Sequence, residues 1–163
     1  MIYIKMNDDM SLVTTVAEPI YQGENFSKKV SFLVPMMIGE EPMDVKTTLA
    51  YLVYIRADGH PDIVYLEREE EMYNEDYYQY IVPIPETVTR YPGELVLWLE
   101  FYSGLASNPV VTRTGTNVMH IIEHPTVVDS LQDSQVTAIY QLSSKILDTE
   151  DDVTPTYNDV ILF

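Results

Sequence analysis

The chain has 163 residues, 26 acidic against 9 basic side chains, a formal net charge of −17 and no cysteine. That length suits one domain with an added arm, since domains run ~100–150 residues. The missing thiols exclude disulfides, a cysteine nucleophile and thiolate metal sites. The acidity argues against a nucleic-acid partner, which would need clustered Lys and Arg to release counterions.

An apolar content of 46% excludes wholesale disorder. The longest apolar runs stay under ten residues, too short to span a bilayer, so no membrane partner is expected. Met1-Ile2-Tyr3-Ile4-Lys5 lacks the basic-then-greasy order of a signal peptide.

In chain order, Met1–Met6 reads as a strand, Asn7-Asp8-Asp9 as a turn and Ser11–Val16 as the returning strand of a hairpin. Pro19 and Gly23 break the pattern. Lys28–Val34 follows, with Val30, Phe32 and Val34 on one face by the two-residue repeat. A Pro- and Met-rich loop spans Pro35–Met43. Thr47–Arg56 comes next, continuously apolar from Leu49 to Ile55, the mark of a strand covered on both sides or one whose outer face is aromatic. Asp58-Gly59 is a turn, and strands follow at Asp62–Leu66 and Tyr77–Ile84.

After Tyr91-Pro92-Gly93 comes the cleanest alternation. Leu95, Leu97, Leu99 and Phe101 point one way, while Glu94, Val96, Trp98, Glu100 and Tyr102 point the other. Val110–Thr112 and Val118–Ile122 supply the last strands. Short strands about every ten residues, with no helical stretch between them, predict an all-β, antiparallel β-sandwich over residues 1–124.

Beyond Pro125 the period changes. Ser130 to Asp133 has capping-box spacing, and Val136, Ile139, Leu142 and Ile146 recur at helical intervals. An amphipathic helix is expected near 129–148, stopped by the acidic run Asp148–Asp152 and by Pro155. A short apolar strand closes the chain at 157–163. Residues 125–163 thus read as a helix-plus-strand arm.

Catalytic signals are weak. The cluster Glu67 to Glu71, then Glu75-Asp76, lacks the mid-loop Gly of a calcium loop and reads as a solvated connection. The Asp148–Asp152 run lacks alternating ligands and a Gly as well. His120 and His124 would sit ~13 Å apart along one strand face, too far to share a metal. No nucleophile elbow, P-loop or dinucleotide fingerprint occurs. No enzyme activity, metal or cofactor is expected. The surplus is tyrosine: Tyr73, Tyr77 and Tyr78 are candidates for a glycan- or receptor-binding platform, or ordinary sandwich residues.

The opening Met1–Asp9, then Ser11–Thr15 and Ile20–Glu24, resembles the start of a family of tail-associated proteins of phages and prophages of Gram-positive bacteria. Tyr54–Gly59, Glu71–Tyr73, Tyr78–Tyr80, Gly93–Leu99 and Thr114–Val118 continue the likeness. The layout is similar to the N-terminal domain of phage baseplate upper proteins. This resemblance implies an immunoglobulin-like sandwich over 1–124 and a structural role in the virion, made in the cytoplasm of the bacterial host. It also implies other tail or baseplate proteins as partners and a homo-oligomer within the particle. Members of that family continue into a helical stalk and distal domains. Here the helix is short and the chain stops at Phe163, so no receptor domain is expected. The expected interface residues are Val136, Ile139, Leu142 and Ile146 on the helix, and Val160, Ile161, Leu162 and Phe163 on the terminal strand, the latter by strand addition. Folding back of both elements onto their own sandwich is the competing expectation.

Overall fold

The computed structural model describes residues 1–38, 41–43, 47–105, 107–125 and 141–142. The chain divides into two compact units, Met1–His124 and Pro125–Phe163. In the second unit Gln141 and Leu142 are helical. The rest of the expected helix at 129–148, and the strand at 157–163, lie outside the described residues.

The first unit is built from strands. Ile2–Met6 (β1) and Leu12–Val16 (β2) form the N-terminal hairpin, followed by the two-residue strand Ile20–Tyr21 (β3) and by Lys29–Pro35 (β4). Met37–Ile38 (β5) and Glu41–Pro42 (β6) make a small ladder of their own. Leu49–Ile55 (β7), Pro61–Leu66 (β8) and Tyr77–Pro83 (β9) come next, then a single helical turn at Glu86–Thr89 (α1). Gly93–Leu105 (β10), Asn108–Arg113 (β11) and Asn117–Ile122 (β12) close the unit.

Two sheets result. The smaller has the order β2-β1-β4-β9; the larger runs β3-β12-β10-β7-β8, with β11 pairing the distal half of β10. One apolar cluster joins them, drawing Ile2, Ile4, Phe32 and Val34 from the small sheet and Ala50, Leu52, Leu97, Leu99, Phe101 and Ile121 from the large one. The period-two reading of β10 holds: Leu95, Leu97, Leu99 and Phe101 are all buried. Each such side chain contributes roughly 1.5–3 kcal/mol by leaving water.

The expectation of purely antiparallel pairing is corrected. β1 runs parallel to β4, and β3 parallel to β12. The cause lies in the connection: after the hairpin the chain crosses to the large sheet as β3 and returns as β4, so β1 and β4 point the same way. The short elements β3, β5, β6 and α1 have no counterpart in the sequence reading, because two to four residues carry no periodicity.

Polar contacts tie the sheets together at their ends. The buried Asn117 of β12 donates through Nδ2 to the Leu12 carbonyl and to Thr14 Oγ1, both at 3.2 Å, binding the large sheet to the N-terminal hairpin. Gly115 N–H donates to the Met10 carbonyl at 2.8 Å beside it. Thr89, fully buried, donates its hydroxyl to the Glu24 carbonyl at 2.6 Å and so anchors α1. Gly93 opens β10 at φ +123°, and a Cβ there would meet Ala57 Cβ at 3.2 Å. Only glycine starts this strand without strain.

Candidate functional site

The outer faces of the two sheets differ. On the small sheet, Ser31 and Leu33 of β4 point away from the shared core, yet they are 0% and 4% exposed. The connection between β8 and β9 covers them. Glu69 N–H donates to the Gln79 carbonyl at 2.9 Å, and Gln79 Nε2 reaches the Glu71 carbonyl at 3.4 Å. The Tyr73 ring then packs, tilted by 52°, 5.4 Å from Tyr3 on β1, the strand on the far side of β4 from β9. Lys5 lies over the Tyr77 ring at 5.2 Å on the same side.

This arrangement places the three candidate tyrosines. Tyr73 belongs to the cover and Tyr77 to the covered face. Tyr78, the next residue along β9, faces inward against the apolar core with Arg68 5.1 Å over its ring. Neighbours on one strand point to opposite faces, so Tyr77 and Tyr78 do not share a platform. The acidic side chains Glu67 and Glu69 to Glu71 are exposed, as the solvated-connection reading expects.

No described segment lies across the outer face of the large sheet. Its register sets out the side chains in rows. Tyr65, Tyr51, Glu100 and Arg113 form one row across β8, β7, β10 and β11; Ile63, Val53 and Trp98 form the next. Beyond them come Ile55, Val96 and Val118, and on the other side Leu49, Tyr102 and Val111. Tyr51 sits edge-on to both Tyr65 and Tyr102, at 5.6 and 5.3 Å between centroids. Ile63, Tyr65, Leu49 and Val118 are each about half exposed (53, 51, 46 and 53%). Leu49, Tyr51, Ile63 and Tyr102 also line a shallow hollow of about 470 Å³. On a chain of net charge −17, these rows hold one carboxylate and one guanidinium, and those two are paired.

Glu100 is that carboxylate, 5% exposed in the midst of the aromatic rows. Its Oε2 accepts from Trp98 Nε1 at 2.9 Å and pairs with Arg113 Nε at 3.3 Å; its Oε1 accepts from the Tyr102 hydroxyl at 2.8 Å. Burial pushes its pKa up, but the Trp98 and Tyr102 hydrogen bonds and the Arg113 charge together outweigh burial and leave it below the ordinary carboxylate value. Accepting the hydrogen bond from Tyr102 raises that phenol's pKa in turn. The cluster locks two large aromatic side chains in place. A held, partly buried Trp and Tyr beside exposed branched aliphatics has the composition of a protein-binding centre.

Of the expected interface residues, Leu142 is helical and half-buried; Val136, Ile139, Ile146 and Val160 to Phe163 lie outside the described residues. His120 stands opposite Glu94 on β10, while the His124 ring lies edge-on to Tyr21 at 5.8 Å. Among the described residues no three acidic or imidazole groups converge on one point. The outer-face residues Ile63, Tyr65, Trp98 and Glu100 were not singled out by the sequence as an interface. The signal was there: β10 turns Val96, Trp98 and Tyr102 outward, where a solvated strand would carry polar side chains.

No protein-family model matches, and no curated protein matches. Among solved structures, the N-terminal domain of phage TP901-1 ORF48 is similar with a TM-score of 0.37 and 8% identity, over 76% of this chain and 96% of that one.

Proposed function

We propose that this chain is a non-enzymatic structural protein of a bacteriophage tail or baseplate, an adaptor that works by burying surface against other tail proteins and against copies of itself. The observation that carries the reading is the aromatic and aliphatic outer face of the large sheet, over which no described segment lies. Contiguous apolar patches on folded chains mark places where another surface docks. A stable contact needs ~1,600 Å² in total, and a five-stranded face is of the right scale for its share. The sequence resemblance at Met1–Asp9, Tyr54–Gly59 and Gly93–Leu99 supports placement in a virion.

The immunoglobulin-like reading of the fold draws support from the order β12-β10-β7-β8 in one sheet, from the antiparallel pair β4-β9 in the other, and from a chain that crosses repeatedly between them. The C-terminal set of Val136, Ile139, Leu142, Ile146 and Val160 to Phe163 serves as a second docking element. The alternative, a glycan- or receptor-binding module on Tyr73, Tyr77 and Tyr78, has less support, since these side chains are divided among cover, covered face and core.

The test is mass spectrometry of tail particles purified from the strain that encodes the chain, together with an Ile63→Asp/Tyr65→Asp variant. The reading expects the native chain in the particle at stoichiometric level, and the variant folded but absent from it. A chain found only in the unassembled fraction overturns the reading.

A further inference from the structure

The interior holds a feature that docking does not use. Between the two sheets lies a cavity of about 300 Å³, walled by the buried Phe32, Leu52, Leu95, Leu97 and Met119. Its mouth is formed by Val64, Val82, Pro83 and Pro85, which are half-buried or exposed. β8 is the outermost strand of the large sheet and β9 that of the small one, so the mouth opens between two sheet edges.

Interiors pack to crystal density, with few voids larger than a water molecule. This one is about twice the ~150 Å³ apolar cavity known to accept a single benzene ring. Water is a poor occupant, because each ordered molecule needs two to four polar partners. Tyr54 also lines the cavity, and its hydroxyl already donates to Asp62 at 3.1 Å. Among the described residues no buried side-chain nitrogen or oxygen lacks a partner. The Asp62 carboxylate and the net charge of −17 also oppose an anion.

We propose that this cavity is a binding site for a neutral apolar molecule, about the size of two fused aromatic rings or an alkyl chain of roughly ten carbons. The apolar walls, Phe32 among them, supply dispersion contact to the part inserted, and a polar end group, if present, stays at the mouth. An anionic fatty acid is discriminated against by charge.

The experiment uses the full 163-residue chain with ¹³C-labelled methyl groups, titrated separately with naphthalene, 1-decanol and decanoate. Expected are saturable shifts of the Leu52, Val82 and Leu97 methyls with naphthalene and decanol, and at least tenfold weaker binding of decanoate. Val82→Phe, which fills the mouth, should abolish the shifts; Val64→Phe does the same from the opposite edge should the first variant fold poorly. Unmoved cavity methyls up to ligand saturation overturn the proposal. So do shifts centred on Val53 and Ile63 of the outer face, undiminished binding by a folded mouth-filled variant, and equal affinity for decanoate.

Discussion

The two sheets of this domain treat their outer faces in opposite ways. Above the small sheet, the β8–β9 connection lays Tyr73 on Tyr3 and buries Ser31 and Leu33 beneath it. Above the large sheet, Ile63, Tyr65 and Leu49 stand about half exposed among aromatic rings. Among the described residues, a covering segment lies on one side only. The contrast teaches that a sheet face of the same strand-rich chain is dry where a connection crosses it and half exposed where no described segment does, and the acidic side chains of the connection keep its outer side in water.

That contrast can be broken by substitution. Leu33→Ala on the covered face should destabilise by about 2–5 kcal/mol, as for a buried leucine, while Ile63→Ala on the open face should stay within about 0.5 kcal/mol. Equal urea midpoints for the two variants would erase the distinction. Tyr73→Ala removes the ring from the cover; a loss of about 0.5–1.5 kcal/mol is expected from the aromatic pair, with faster amide exchange at Leu33.

Glu100 sharpens the comparison through pH. Its folded pKa lies below the ordinary 4.5, so its stabilising share is full above about pH 4.5 and is lost as pH falls through the lowered folded value. Glu100→Gln should cost about 1 kcal/mol at pH 7, and the gap between variant and parent should close toward pH 3. A gap that widens on acidification contradicts the assignment. Smallest in stability, and largest in assembly, is Ile63→Asp: an unchanged melting midpoint with loss of partner retention by light scattering.

Much of this architecture was legible from local pattern. Leu95 to Phe101 alternates, and the structure buries that set; Asn7-Asp8-Asp9 and Asp58-Gly59 turn as their side chains dictate. In β4 the same periodicity identified Val30, Phe32 and Val34 and missed Leu33, because Leu33 is covered by residues some forty positions away, beyond any local window. β3 escaped for a like reason. Two residues have no period, and their partner in β12 lies about a hundred residues on. The candidate tyrosines were chosen by abundance, which says nothing of facing; register across β9 decides that. The open face was half legible, since the outward residues of β10 were identified but not their neighbours on β7 and β8, whose alignment needs the pairing itself.

The clasp at Asn117 bears on how the protein is made. Its partner Leu12 emerges from the ribosome 105 residues earlier, which at ~5–20 residues per second is an interval of about 5–20 s. Throughout that time the N-terminal hairpin lacks its tie to the closing strand, and β2 is a free sheet edge able to pair with a neighbouring nascent chain. Truncation before Asn117, or a stalled ribosome, would leave the hairpin without that tie and its Leu12 carbonyl without the Asn117 donor.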